Sequence, residues 1–262
     1  MRIMAILRRV LDPSGIVAHR RLRRLFVNRE VYLLEPADRC ALEAALRIKD
    51  TDDAEVIVVS GQPEPDDDTL RRGLAMGADR AICLTGEGFE KADDAVVVRA
   101  LATVVEQLGG ADLVMVGSNT LDTGDQQLGI RLAEALGWPQ LVRALSVETR
   151  DGCARAVGRH GGQLLLVEAN LPAVVTVRAG ALKPRYPNGR RLINIYRGEG
   201  EIAGTLEQWN IADLLTPDEL TPLVESRGLD FPPERQRGER VAGSLEEIAQ
   251  AVAEALRQRL SG

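Results

Sequence analysis

Along the first half of the chain, short runs of apolar residues alternate with segments in which apolar residues recur every three or four positions. The runs EVIVVS at 55–60 and LVMVG at 113–117 are almost wholly apolar, as is typical of parallel strands buried on both faces. The segments between such runs carry the spacing of amphipathic helices. This rhythm predicts an α/β fold with a doubly wound, mostly parallel sheet and right-handed crossovers.

The same pattern gives approximate bounds for the elements. Strands are predicted at residues 3–7, 55–60, 81–84 and 113–117. Helices are predicted at residues 38–49, 66–76, 93–108 and 126–136. Glycines mark the ends of three of these helices, because glycine adopts the left-handed backbone conformation that closes a helix: Gly77, Gly109 and Gly137.

The pattern changes after residue 141. Short strands are predicted at 144–149, 154–159 and 163–168, joined by the turn pairs Asp151-Gly152 and Gly161-Gly162. Strands joined by such tight turns predict an antiparallel meander. A further apolar strand is predicted at 173–177.

From about Gly198 the chain becomes rich in proline and charge, and a last amphipathic helix is predicted at 244–259. Ser244 is its expected N-cap, and Glu247 completes a capping box. This tail has too little apolar sequence to fold alone, so it either packs back on its own domain or lies across a partner. We therefore predict an α/β nucleotide-binding domain at 1–197 and a C-terminal arm at 198–262.

Composition excludes several classes of protein. The chain has 262 residues, a net charge of −6 and only 3% aromatic residues, which disfavours a nucleic-acid binder. The basic stretch RRLRRLF at 20–26 is then best interpreted as a solvated or partner-facing hairpin. The first residues lack the pattern of a signal peptide, and no segment approaches the roughly 18 apolar residues of a membrane span. We expect a cytoplasmic protein that does not span a membrane.

Few residues are placed for catalysis or metal binding. The three cysteines and two histidines are scattered, which favours structural thiols and no metal site. His160 falls in a predicted hairpin turn, and Asp66, Asp67 and Asp68 fall where a helix N-terminus attracts acids. The G-x-S-x-G, G-x-G-x-x-G and P-loop patterns are all absent.

The most informative segment follows the fourth predicted strand. Ligands of open parallel sheets bind beyond the carboxyl ends of strands, here at Ile6, Gly61 and Gly117. Residues 117–129, GSNTLDTGDQQLG, form a polar loop that leads into a helix, whose N-terminus favours an anion such as phosphate. The alternative is an ordinary strand-to-helix loop in which Asp125 caps the helix.

Several segments together resemble the beta subunit of electron transfer flavoproteins. The segments that carry this resemblance, in chain order, are MRIMAILRRVLD at 1–12, LEPADRCALEAALRIKD at 34–50, LAMGADRA at 74–81, DLVMVGSNTLDTGDQQLG at 112–129, WPQ at 138–140, LPAVVTV at 171–177, KPRYP at 183–187 and PPERQRGERV at 232–241. Their order covers nearly the whole chain, so the combination is more specific than any single motif.

The resemblance implies an electron carrier without catalytic residues of its own, with the fold of adenine nucleotide alpha hydrolases. It implies an alpha subunit as partner, an FAD held mainly by that subunit, and an AMP in this one. Flavin dehydrogenases would donate electrons, and a quinone oxidoreductase is one acceptor that the family uses. The tail would embrace the alpha subunit.

The resemblance also assigns two sets of residues. The nucleotide pocket would comprise Ile6, Glu35, Pro36, Ala37, Asp38, Gly61, Gly117, Ser118, Asn119, Thr120, Leu121, Asp122, Thr123, Gly124, Asp125, Gln126, Gln127 and Leu128. The surface that meets partner dehydrogenases would comprise Pro184, Arg185, Tyr186, Pro187 and Leu192.

This chain departs from the family pattern at three pocket positions. Glu35 stands where asparagine is usual, and Ala37 where phenylalanine or tyrosine is usual. Asp125 would repel a phosphate by like charge, unless it points away or caps the helix.

Three alternatives stay open at this point. In an electron-bifurcating type, the same pocket would hold a second FAD and take a hydride from NADH. A stress-protein-like nucleotide sensor would be a homodimer without flavin. An adenylating enzyme of similar fold would need a Ser-Gly-Gly-type loop after the first strand, where this chain has Leu7, Arg8 and Arg9.

Overall fold

The computed structural model describes residues 1–61, 67–87, 89, 92–200, 202, 205–225, 231, 238 and 240–260. The contacts between residues divide the chain into two compact units. The first comprises Met1–His19 and Leu25–Arg227, and the second comprises Arg20–Arg24 and Gly228–Gly262. The sequence had placed the boundary near residue 198.

The strands are β1 (Arg2–Ile6), β2 (Arg9–Leu11), β3 (Ile16–His19), β4 (Arg24–Val27), β5 (Tyr32–Leu34), β6 (Glu55–Gly61), β7 (Arg80–Thr85), β8 (Leu113–Gly117), β9 (Gln140–Arg150), β10 (Cys153–His160), β11 (Gln163–Asn170), β12 (Ala173–Val177) and β13 (Leu206–Asn210). The α-helices are α1 (Pro36–Thr51), α2 (Asp67–Met76), α3 (Asp94–Gln107), α4 (Leu128–Leu136), α5 (Gly189–Arg197), α6 (Ile211–Leu214) and α7 (Leu245–Leu260).

In the described part of the chain, nine strands form one sheet in the order β11-β10-β9-β12-β8-β1-β6-β7-β13. Strands β12, β8, β1, β6, β7 and β13 are parallel to their neighbours, whereas β9, β10 and β11 form an antiparallel meander. The α/β class, the mostly parallel sheet and the meander are therefore confirmed. Strand order reverses at β1, which lies between β6 and β8, so the sheet has a switch point there.

Two apolar layers cover the two faces of the parallel strands. Residues of α1 and α2 pack on one face, together with alternate residues of β1 and β6. Residues of α3 and α4 pack on the other face, with the intervening strand residues. The central strands are buried on both sides, which explains why they read as continuous apolar runs in the sequence.

Two elements of the first unit were not predicted. Helix α5 begins after Asn188, whose side chain accepts a hydrogen bond from the Arg191 N–H at 3.0 Å, and it ends at Gly198. Strand β13 pairs with β7 in parallel at the opposite end of the sheet from the meander. Its residues LEQWN include three polar side chains, because only part of this strand is covered, and this hid it in the sequence.

The meander ends in an exposed apolar strand. Strand β11 is the last in the sheet order of the described residues. Four consecutive residues of this strand are largely exposed: Leu164 at 60%, Leu165 at 42%, Leu166 at 67% and Val167 at 42%. Both faces of this strand are therefore apolar and open.

The predicted capping box of the last helix is confirmed in the second unit. The Ser244 N–H donates to Glu247 Oε2 at 2.7 Å, and the Glu247 N–H donates to Ser244 Oγ at 3.3 Å. None of the residues of α7 is buried, although Leu245, Val252 and Leu256 lie along its apolar face.

A buried ion pair joins β1, α1 and β8 at the carboxyl end of the sheet. The backbone N–H and Nε of Arg8 donate to Asp38 Oδ2 at 2.8 and 3.0 Å, and its Nη2 donates to Asp38 Oδ1 at 2.8 Å. Arg8 Nη2 also donates to the carbonyl oxygen of Gly117 at 3.0 Å, while the Gly117 N–H donates to Asp38 Oδ1 at 2.7 Å. The end of β8 is thereby fixed against the first turn of α1.

Gly117 is required by this close approach. A Cβ atom at this position would lie 2.5 Å from Asp38 Oδ1, 2.6 Å from Ala37 Cβ and 2.7 Å from the Asp38 nitrogen. These neighbours cannot retreat easily, because they belong to the first turn of α1 and to the ion pair with Arg8. The loop that follows β8 therefore begins at a position where the structure admits only glycine.

We predict that Gly117→Ala lowers the free energy of unfolding by about 1–3 kcal/mol, the usual cost of overpacking a core. Urea unfolding of the purified protein, followed by circular dichroism, measures this change. Gly189→Ala is the matched control, since a Cβ at Gly189 meets no atom within 4 Å. Equal stability of Gly117→Ala and the unmodified protein would contradict the close packing described here.

Candidate functional site

A cavity of about 450 Å³ opens at the carboxyl end of the parallel strands. The ends of β1, β6 and β7, the first half of α3, and the loop between β8 and α4 form its walls. It lies beside the switch point, where open α/β sheets bind their ligands. Its volume falls within the roughly 300–1,000 Å³ of small-molecule sites.

One wall of the cavity is apolar. It is formed by Ile6, Leu7, Val10, Gly61, Leu84, Phe89, Ala92, Val97, Leu101 and Leu128. A Cβ at Gly61 would lie 3.1 Å from Phe89 Cζ, so the absence of a side chain there leaves room beside the phenylalanine ring. A wall of this composition suits a flat, apolar ring system such as an adenine base.

The opposite wall is polar and rich in carboxylates. It is formed by Arg8, Arg9, Thr120, Thr123, Asp94, Asp122 and Asp125. The guanidinium of Arg8 is already paired with Asp38, and the guanidinium of Arg9 lies 4.0 Å from the centre of the Tyr32 ring. The acids of this wall therefore outnumber the cations that are free to balance them.

Burial and nearby charge shift the titration of one of these acids. Asp94 stands in the first turn of α3, where its partial burial raises its pKa. The charge of Asp125 raises the pKa of Asp94 further, whereas Arg131 and Arg8 lower it. Asp94 thus takes up a proton more readily than an ordinary aspartate, and Asp125 faces it from the β8–α4 loop.

The β8–α4 loop is a compact turn built from its own polar groups. The Thr120 N–H donates to the Asp125 carbonyl oxygen at 2.9 Å, and the Asp125 N–H donates to Thr120 Oγ1 at 3.0 Å. The Asp125 side chain accepts from the Gln127 N–H at 3.1 Å. This turn explains why α4 begins at Leu128 rather than at 126: Asp125 closes a turn before the helix, and the N-cap position falls to Gln127.

Glu35 holds this loop from behind. It immediately precedes α1, is 1% exposed and does not line the cavity. Its Oε1 accepts from the Ala37 N–H at 3.1 Å, and its Oε2 accepts from the Leu121 N–H at 2.7 Å. Burial raises the pKa of Glu35, although its two bonds to backbone N–H groups act in the opposite direction.

The structure brings only part of the assigned pocket to the cavity wall. The residues at the wall are Ile6, Gly61, Thr120, Asp122, Thr123, Asp125 and Leu128. Glu35, Ala37 and Asp38 are buried behind the loop, whereas Leu121, Gly124, Gln126 and Gln127 are exposed away from the wall. The remaining members, Pro36, Gly117, Ser118 and Asn119, connect these groups and do not line the cavity.

Gly129 also serves packing rather than the cavity. A Cβ there would lie 2.4 Å from Thr176 Cγ2 and 2.8 Å from Val116 Cγ1. Its absence allows α4 to lie close against β8 and β12.

Sequence reasoning missed the contribution of α3 to the cavity. Asp94, Val97 and Leu101 line it at helical spacing, and Arg8 and Arg9 line it from the end of β1. The switch-point rule identifies the loops that follow β1 and β8, but α3 belongs to a neighbouring crossover. The acidic start of α3 was a usable signal, since Asp93 and Asp94 open this helix and only Asp93 caps it, accepting from the Val96 N–H at 3.1 Å.

A second surface lies at the assigned dehydrogenase-facing segment. Arg185 donates to Glu43 Oε2 through Nε at 2.9 Å and to Asp50 Oδ2 through Nη2 at 2.7 Å, which fixes the segment against α1. Tyr186 is 83% exposed, whereas Leu192 is half-buried and packs against the core. Pro184 and Pro187 flank this pair and are half-buried.

Two searches of the described residues found no candidate. No helix there is long and apolar enough to cross a membrane. No group of three or more histidine, cysteine, aspartate or glutamate side chains there could hold a metal ion.

Comparison with known proteins identifies relatives along the whole chain. The family model described as "Electron transfer flavoprotein domain" matches residues 25–213. The chain is 38% identical to the electron transfer flavoprotein subunit beta of Methylophilus methylotrophus, over 61% of this chain and 62% of that protein. It is 27% identical to the corresponding subunit of Thermoanaerobacterium thermosaccharolyticum, over 99% of both chains.

A further relative is the Caffeyl-CoA reductase-Etf complex subunit CarD of Acetobacterium woodii, which is 28% identical over 99% of both chains. The family match spans well over half of the chain, and it includes the loop that bounds the cavity. This chain belongs to the electron transfer flavoprotein family, and its relatives there are beta subunits.

Proposed function

We propose that this chain is the beta subunit of a heterodimeric electron transfer flavoprotein and that it binds AMP in the cavity at the switch point. The heterodimer accepts electrons from flavin dehydrogenases and passes them to a membrane-bound or soluble acceptor. The observation that carries the proposal is the cavity itself, which combines an apolar wall with the polar loop that lies within the family match.

The walls of the cavity fit an adenosine. The apolar side chains around Phe89 would cover the base, and the carboxylates of Asp94 and Asp125 would accept hydrogen bonds from ribose hydroxyl groups. The N-terminus of α4 offers backbone N–H groups that have no partner within the helix, and these suit a phosphate. AMP bound there contributes no redox chemistry.

The electron-carrying group would be an FAD held mainly by the alpha subunit. It supplies the redox chemistry, and the protein supplies its position and surroundings. On this proposal the beta subunit is not itself an enzyme: it supports the partner that holds the flavin and presents the segment around Tyr186 to electron donors.

The last helix supports a partner subunit. The apolar face of α7 is exposed along its whole length. An isolated helix of this size is only marginally stable in water, so its apolar face needs a surface to pack on. We propose that the alpha subunit provides that surface.

A second candidate function is electron bifurcation, in which the cavity holds the adenosine part of a second FAD and the protein oxidises NADH. The relative that favours it is CarD, since it aligns over 99% of both chains and is named as part of a reductase complex. The same two walls would hold the adenosine of either ligand, so only the flavin content separates the candidates.

The test is co-expression with a candidate alpha subunit, followed by flavin absorbance and mass spectrometry of the nucleotides that heat releases. One FAD and one AMP per heterodimer are the expected result. Two FAD and no AMP would support the bifurcating type. A flavin-free homodimer that ignores the alpha subunit would contradict both and favour the nucleotide sensor.

We predict that Val97→Trp, which fills the cavity from α3, weakens AMP binding at least tenfold, or by about 1.4 kcal/mol. Titration calorimetry on the nucleotide-free heterodimer measures the affinity. Thr103→Trp is the matched control, because Thr103 is a half-buried residue of the same helix that does not line the cavity. Unchanged AMP affinity in Val97→Trp would place the nucleotide elsewhere.

AMP binding should also depend on the protonation of Asp94. Ionised Asp94 repels a phosphate, and its raised pKa means that it becomes neutral at a higher pH than an ordinary aspartate does. AMP should therefore bind more tightly as the pH falls from 8 towards 5. Asp94→Asn should bind AMP more tightly at pH 8 and show a flatter profile.

Adenosine serves as the uncharged control in the same titrations, since it lacks the phosphate. The phosphate itself takes up a proton near pH 6, so the comparison is between the two protein variants at each pH. Identical AMP profiles for both variants would show that Asp94 does not sense the phosphate.

A further inference from the structure

Glu35 occupies an unusual place for a carboxylate. It is almost completely buried, yet it lies outside the cavity and its bonds run to uncharged groups: the N–H groups of Ala37 and Leu121. The neighbouring Asp38, by contrast, is neutralised by the guanidinium of Arg8. Glu35 therefore has a burial cost that no direct ion pair offsets, which calls for a role beyond stability.

The bond to Leu121 is the attachment of the outer loop. Among the hydrogen bonds of the described residues 120–125, those of the other residues run within the turn or to Gln127, and the bond from Leu121 reaches Glu35 on another element. Thr120, Thr123 and Asp125 of this turn line the cavity. The position of that cavity wall is thus set through a single carboxylate oxygen.

We propose that Glu35 is a positioning residue: it ties the β8–α4 loop to the start of α1, and it thereby sets how long a nucleotide stays in the cavity without touching it. This inference rests on the proposed function, because it takes the cavity as the nucleotide site. It gives Glu35 a role through the loop rather than through direct contact with the ligand.

The substitution Glu35→Gln separates this role from stability. A glutamine side chain carries one acceptor oxygen and one amide donor, so it can accept from one of the two N–H groups and faces the other with a donor. It also removes a buried charge. The variant should therefore keep or gain thermal stability, while the loop loses one of its bonds.

The first measurement is amide hydrogen exchange of the nucleotide-free heterodimer. We expect peptides that contain Leu121 to exchange roughly tenfold faster in Glu35→Gln, a factor in keeping with the loss of one hydrogen bond. The second measurement is the dissociation rate of AMP, followed by displacement of a fluorescent etheno-AMP. It should rise by a similar factor, while the melting temperature stays equal or rises.

Glu43→Gln is the matched control. Glu43 is another buried carboxylate of α1, but its partners are Arg47 and Arg185, at a distance from the loop. This variant should lower the melting temperature and leave both the exchange of the loop and the AMP dissociation rate unchanged.

Each outcome decides one part of the proposal. Unchanged exchange at Leu121 in Glu35→Gln overturns the tether. Faster exchange with an unchanged AMP dissociation rate overturns the link from the tether to retention. If the unmodified heterodimer binds no AMP at all, the proposed function and the retention role both fail, and the exchange measurement still decides whether Glu35 holds the loop.

Discussion

The geometry of the site depends on the buried ion pair between Arg8 and Asp38. It joins the first strand, the first helix and the end of β8, which are far apart in the sequence, and it satisfies both backbone groups of Gly117. A buried pair of this kind adds little net stability over an apolar contact, but removing one partner leaves an uncompensated charge. Its value here is geometric, because it fixes where the loop after β8 begins.

The loop that starts from this point is held by carboxylates at both of its sides. Glu35 bonds it from α1, and Asp125 closes it from within. Acids at such positions are usual near the ends of helices, where they accept from free backbone N–H groups. The consequence is a cavity whose polar wall favours hydroxyl groups as ligands and tolerates a phosphate only where helix N–H groups offset the acids.

The hydrophobic pattern predicted the parallel sheet, the meander and the first four helices, because strands buried on both faces and amphipathic helices leave distinct periodicities. It missed α5, which follows Pro187 and Asn188 and reads as a loop, and it missed β13, which is half-covered and polar. The resemblance identified the loop after β8. Neither approach could show that Glu35 and Asp38 stand behind that loop, since side-chain direction at a helix start depends on contacts with distant residues, here Arg8 and Leu121.

The exposed strand β11 limits how this chain can accumulate on its own. An open, apolar edge offers unpaired backbone groups to any other extended segment, including the same strand of another copy. Natural sheets usually protect such an edge with lysine, proline or a bulge, and the run from Leu164 to Val167 has none of these. Copies made in excess of whatever covers this edge would associate with one another as their concentration rises, so the supply of the covering chain sets the ceiling on usable protein.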